Sequence, residues 1–224
     1  MCGRFTLTTP DIESLASLVS ATIDPRLLAA YAPRYNIAPT QTTVLLRADA
    51  ARRLEPGTWG LTSPWGDDRR PGGFMNARSE SAATLPSFRD AYARGRCVVL
   101  CDGFFEWTGP KSHRQPLLFR RHGGGLLPLA AISREDIDPD TGEVTRRFAI
   151  LTTRANATLA PHHDRMPVIL PLPDLESWCR PGRPPQDLLL PAADDLLSTT
   201  PVSPRVNTPR HDDPACITPI AALA

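Results

Sequence analysis

Cys97-Val98-Val99-Leu100-Cys101-Asp102-Gly103-Phe104-Phe105-Glu106-Trp107 is the stretch on which the fold turns. Its first five residues are all apolar, the pattern of a short strand buried on both faces. Asp102-Gly103 breaks the run, and the aromatics that follow carry one carboxylate, Glu106. Upstream, Phe88, Ala91 and Tyr92 repeat at helical spacing within Pro86–Arg94. Thr43–Leu46 and Arg53–Glu55 read as a strand pair around a turn near Asp49, and Pro25–Ala30 as a short helix. Thr9 as N-cap with Pro10 at the first helical position opens a helix on Ile12, Leu15, Leu18 and Val19. Downstream, Pro116–Phe119, Leu126–Ile132, Phe148–Thr152 and Val168–Leu170 read as strands, with turns at Gly123–Gly125 and Asp138–Gly142. Leu175–Cys179 and part of Leu188–Leu197 are helical, and Val202 and Val206 are strand positions in a Pro-rich tail. Thr62–Gly73 reads as a long polar surface loop. These elements predict an α+β fold: one domain over residues 1–224, an antiparallel, barrel-like sheet with flanking short helices.

Composition supports a folded, water-borne chain. Of its 224 residues, 41% are apolar and 22% charged, which argues against disorder. Twenty-five prolines punctuate the chain and favour short elements. No apolar run reaches the roughly 18 residues needed to cross a bilayer, and no signal peptide is legible. The expected location is the cytoplasm, or the nucleoid in a bacterium. Five cysteines, an odd count, are expected as free thiols. The net charge of +1 gives no bulk signal for nucleic acid. Lys111 is the only lysine among 25 cations, so cationic sites are guanidinium sites, suited to phosphate and carboxylate. Amine chemistry has only Lys111 or the chain terminus to draw on.

Four segments carry chemistry. In Met1-Cys2-Gly3-Arg4, removal of the initiator Met would leave Cys2 as the N-terminus. Its α-amine and thiol then titrate at about 8 and about 8.5, so both are partly nucleophilic near neutrality. Together they can close a thiazolidine on an aldehyde, or the thiol can attack an acyl carbon with the amine as base. Met-Cys also reads as a small residue at a frayed end. Asn76, Arg78 and Glu80 alternate, so an extended backbone puts them on one face, either a solvated face or one turned to an anionic ligand. Glu106 among aromatics is a candidate general acid/base, or an outward carboxylate on a strand edge. His163, in His162-His163-Asp164-Arg165-Met166-Pro167, is a candidate proton shuttle. Adjacent histidines point apart, and Cys97-x-x-x-Cys101 suits core packing, so no metal is expected. Trp59 reads as core, whereas Trp65, in an Arg-rich loop, suits stacking on unpaired bases.

Taken together, seven pieces resemble the SOS response-associated peptidase (SRAP) family: Met1–Phe5, Arg34–Pro39, Trp59–Leu61, Asn76–Glu80, Gly103–Trp107, His163–Pro167, and Val202-Ser203 with Val206-Asn207. Each is weak alone, but seven in order along the chain are specific. The resemblance implies a single SRAP domain that binds abasic sites in single-stranded DNA. Cys2 forms a thiazolidine with the open sugar aldehyde, a DNA–protein crosslink made through Schiff-base chemistry. Asn76 holds the reacting group, Glu106 acts as acid/base, and His163 protonates the ring oxygen or leaving group. Arg4, Arg78 and Arg165 contact phosphates, and Thr152 lies in the segment lining the site. The expected state is a monomer without cofactor, metal or membrane. Two other readings stand beside it. One is an N-terminal-Cys peptidase or amidohydrolase, including self-removal of Met1. The other is a non-catalytic single-strand-binding module.

Overall fold

The computed structural model describes residues 2–48, 51–65, 72–110, 112–137 and 140–221. Met1, Asp49, Lys111, the centre of the loop expected over Thr62–Gly73 and the start of the turn Asp138–Gly142 lie outside the described residues. In chain order the elements are β1 (Phe5–Leu7), α1 (Ile12–Val19), β2 (Thr22–Ile23), α2 (Pro25–Ala30), β3 (Arg34–Ile37), β4 (Thr42–Arg47) and β5 (Arg53–Trp59). They continue with β6 (Asn76–Arg78), α3 (Ser79–Ala82), α4 (Arg89–Arg94), β7 (Arg96–Val99), β8 (Gly103–Thr108), β9 (Gln115–Arg121) and β10 (Leu129–Ile137). The last are β11 (Val144–Arg154), β12 (Arg165–Pro167), α5 (Leu175–Cys179) and β13 (Leu197–Pro201).

Strands β10, β7, β4 and β5 follow β11 in order, and β5 pairs back onto β11, closing a five-stranded barrel. A second, five-stranded sheet runs β13-β9-β8-β1-β3. The barrel-like α+β expectation is met, with one refinement. The closing pair β5–β11 is parallel, as are β6–β11 and β2–β5. A parallel pair needs a long connection rather than a hairpin, and single-sequence patterning does not reveal which distant strands meet.

The apolar run read first is indeed buried: Cys97, Val98, Val99, Leu100 and Cys101 have no exposed surface. Trp59 is fully buried too, 5.0 Å from the Phe5 ring and 6.4 Å from the Phe148 ring. Strand alternation explains β8. Phe104 faces the main core, which also holds Cys2, while Phe105 and Trp107 face a smaller cluster with Val202, Val206 and Cys216. Period two therefore turns Glu106 to the side of Phe104 and Cys2.

Several local expectations are corrected. Helix α1 is capped by Asp11, not Thr9; the Asp11 carboxylate accepts from the Ser14 amide at 2.6 Å. A carboxylate reaching the first-turn amides is the stronger cap. Regular helix within Pro86–Arg94 is confined to Arg89–Arg94. The strand near Val168–Leu170 lies earlier, at β12; Ile169 makes a single bridge to Leu129. Leu188–Leu197 holds two short 3₁₀ turns, 186–189 and 194–196, before β13. Val202 makes an isolated bridge and Val206 sits in a 3₁₀ turn. The alternation Asn76, Arg78, Glu80 breaks at Ser79, where α3 starts.

All five cysteines are free and buried. Burial pushes the Cys97 thiol up to about 11 and Cys179 to about 12, from an ordinary 9.0, and raises Cys2, Cys101 and Cys216 as well. Above that ordinary value the unfolded thiols lose protons that the folded ones keep. Stability then falls as pH rises, by up to about 1.4 kcal/mol per pH unit for each thiol. Thermal melts near pH 8 and near pH 10 check this: the midpoint drops at the higher pH, and an unchanged midpoint contradicts it.

Candidate active site

Cys2 precedes β1, which lies between β8 and β3. The Phe105 amide donates to the Arg4 carbonyl at 3.0 Å, fixing the start of the chain against the strand that carries Glu106. Cys2 is fully buried, and its thiol donates weakly to the Arg4 carbonyl at 3.6 Å. Burial, and then the nearby Glu106 carboxylate, push the thiol far above its ordinary range, so it is held as a neutral S–H. Glu106 is 5% exposed, which decides against an outward carboxylate on a strand edge.

Asn76 Nδ2 donates to the Cys2 carbonyl at 3.1 Å. Its Oδ1 is buried and accepts no hydrogen bond from the described residues. A buried amide oxygen without a donor is costly, so it marks a place where a ligand donor fits. The segment before Asn76 is pinned by Trp59, whose indole N–H donates to the Met75 carbonyl at 2.8 Å. Trp59→Phe keeps the ring in the core but removes that bond, at a cost of about 1 kcal/mol. The expected result is a slower reaction at Cys2 with a small loss in denaturation midpoint; an unchanged rate removes Trp59 as a positioning residue.

Parallel pairing sets Asn76 opposite Ile150 and Arg78 opposite Thr152, and β12 pairs with the same end of β11. His163, two residues before β12, is thereby placed at the same end of the barrel. Its Nδ1 lies 2.8 Å from the Arg165 amide and 2.9 Å from an Asp164 carboxylate oxygen. A neutral ring offers its Nδ1 lone pair to the amide, which puts the ring proton on Nε2. A charged ring offers Nδ1–H to Asp164. The neighbouring His162 sets its ring edge-on to Phe119 at 5.8 Å.

The cations divide. Arg78 is exposed at the end of β6 and makes no ion pair among the described residues. Arg165 forms a bidentate pair with Glu80 at 2.7 and 2.8 Å and reaches the Thr152 carbonyl. That pairing holds the Glu80 carboxyl below its usual range. Thr152 has no exposed surface; it supports Arg165 rather than meeting solvent. Arg4 is half-committed inward, with Nη1 donating to Asn36 Oδ1 and to the Val206 carbonyl, both at 2.7 Å. Trp65 is 66% exposed, but its loop is tied elsewhere through the Thr62 hydroxyl, which donates to Asp136. Asp136 stands opposite Thr145, five positions before Ile150, about 17 Å along the strand from Asn76.

Sequence reading missed the clamp behind the site. Buried Asn36 donates to the carbonyls of Val206, Thr208 and His211, at 3.2, 3.0 and 2.7 Å. Asp212 accepts from the Tyr35 and Asn36 amides at 2.6 and 2.8 Å. The only available signal was a polar residue inside a strand pattern, Tyr35-Asn36-Ile37. The clamp joins two motifs that lie far apart in the chain and seats the residues around Arg4.

The model of the family described as SOS response associated peptidase (SRAP) matches residues 1–209. The chain belongs to the SRAP family. Over 97% of its length it is 32% identical to the abasic site processing protein YoqW of Bacillus subtilis, covering 99% of that protein. It is also 32% identical to the abasic site processing protein YedK of Escherichia coli, over 80% of each chain. A crystal structure of a Bacteroides thetaiotaomicron protein superposes with a TM-score of 0.85 over 98% of this chain and 100% of that one, at 21% identity, and shares the fold. Within this SRAP chain, Asn76 is bonded to the Cys2 carbonyl and the Glu106 charge acts on the Cys2 thiol. No group of three or more metal-binding side chains occurs among the described residues. No helix among them is long and apolar enough to cross a membrane.

Proposed function

We propose that the protein, as a monomer, captures abasic sites in single-stranded DNA as a covalent thiazolidine on Cys2, once Met1 is removed. One observation carries the reading: the Cys2 carbonyl is held by Asn76, whose buried Oδ1 lacks a donor among the described residues, while the Glu106 charge acts on the Cys2 thiol. The names of the YoqW and YedK relatives point to the same lesion.

An abasic deoxyribose is a cyclic hemiacetal in equilibrium with an open aldehyde. His163 donates a proton to the ring oxygen as the sugar opens. The Cys2 α-amine adds to C1′, and loss of one water gives an imine. The thiol sulfur then adds to the imine carbon. Its proton passes to Glu106 and from there to the nitrogen, which is an amine again in the closed ring. Aldehyde plus aminothiol thus gives thiazolidine plus water, with no redox change.

The neutral, buried thiol suits this order. It is not a free thiolate that oxidises readily, and it becomes nucleophilic only as Glu106 takes its proton. Asn76 Oδ1 can accept from the amine or from the sugar hydroxyl. Arg78 supplies a phosphate contact, with Arg4 and Arg165 beside it. Trp65 offers an exposed ring for a base farther along the strand.

A denaturing gel tests the proposal. Protein with Met removal confirmed by intact mass is mixed with a single-stranded oligonucleotide bearing one abasic site. A heat-stable shifted band supports capture. Its absence, with processed Cys2 and an intact lesion, sinks the reading.

A further inference from the structure

Arg96 opens β7 and is 3% exposed. Its guanidinium is held by backbone carbonyls: Nε donates to Trp178 at 2.6 Å, Nη1 to Tyr92 at 2.9 Å, and Nη2 to Arg180. The Tyr92 and Trp178 rings lie 5.9 and 5.5 Å from it. No carboxylate pairs with Arg96 among the described residues. Buried charges are ordinarily paired, because desolvating them is costly. Among the described residues three of its five N–H donors are used, which leaves two for a ligand.

Arg96 lines a cavity of 740 Å³, a volume within the range of small-molecule sites. The cavity shares no lining residue with the Cys2 site: Cys2, Asn76, Glu106 and His163 are all absent from its wall. Arg154 and Arg183 are exposed at its rim. Leu189 and Leu190 supply apolar wall, and Gln186 a polar one. Among its lining residues the only carboxylate is Glu80, already bound by Arg165. Three guanidinium groups thus meet an apolar wall with no free carboxylate. That chemistry fits an anion with a flat, partly apolar body.

We propose that this cavity is a second binding site, independent of Cys2, for a mononucleotide. Its phosphate sits between Arg154 and Arg183, and its base lies on the Leu189–Leu190 wall with an acceptor toward Arg96. A free nucleotide and the 5′-phosphorylated end of a strand offer the same chemistry.

Calorimetric titration of the full-length protein with deoxyadenosine 5′-monophosphate tests the site, alongside deoxyadenosine and inorganic phosphate. The monophosphate binds with a Kd on the order of micromolar to millimolar, and each fragment binds at least about tenfold more weakly. The exposed double variant Arg154→Ala/Arg183→Ala loses about tenfold or more with an unchanged melting midpoint. Cys2→Ala binds as well as the parent. Displacement by a 5′-phosphorylated oligonucleotide, but not by its unphosphorylated form, assigns the site to a strand end; displacement by neither assigns it to a free nucleotide. No binding, equal binding of inorganic phosphate, or full affinity in the double variant overturns the proposal.

Discussion

Cys2→Ala is expected to abolish the heat-stable DNA adduct, lowering its yield at least about a hundredfold, because the second nucleophile is gone. The terminal α-amine of the processed variant remains free and can still form an imine with the abasic aldehyde. An imine hydrolyses on heating; a thiazolidine does not open readily, because its sulfur and nitrogen are tethered to one another. Borohydride therefore separates the two states. The variant shows a band only when the imine is trapped by reduction, whereas the parent shows one without it. The change removes one small buried atom, at about 1 kcal/mol, so the fold survives. A heat-stable band in Cys2→Ala without borohydride refutes the thiazolidine.

Glu106→Gln is expected to slow capture by about 10²- to 10⁴-fold, the usual weight of a positioned general base. Two effects oppose each other here. The Glu106 charge helps hold the Cys2 thiol protonated. Neutralising it makes the thiolate easier to form, which by itself speeds the reaction. Removing the base that accepts the thiol proton slows it. The direction of the change thus decides which role Glu106 plays. Single-turnover crosslinking gives the rate, and anisotropy with an oligonucleotide bearing a non-reactive tetrahydrofuran site gives the affinity. A slower rate at unchanged affinity identifies the base. A faster rate makes Glu106 a suppressor of the thiolate and removes it from the proton path.

Much of this was legible in the sequence, for identifiable reasons. Cys97–Cys101 reads as a buried run, whereas Glu106 among aromatics stays open between a buried acid/base and an outward carboxylate until its burial is seen. Asn76 was singled out by its motif. What the sequence could not show was contact between distant segments. The β5–β11 closure, the Asn36–Asp212 clamp and the bond from Trp59 to Met75 all join residues with no local signal of their partner. Glu80 was placed on the strand face with Arg78 because alternation was extended one residue too far. It is the helix start at Ser79 that delivers Glu80 to Arg165. Arg96 passed unnoticed because an arginine at a strand end reads as surface, and only packing against Tyr92 and Trp178 reveals it as buried.

The most direct test of the central claim is mass mapping of the adduct after nuclease trimming and proteolysis. The account predicts an N-terminal peptide that begins at Cys2 and carries the trimmed deoxyribose remnant, heavier by that sugar less one water. An unmodified Cys2 peptide, with the sugar on Lys111 or on another side chain, contradicts it.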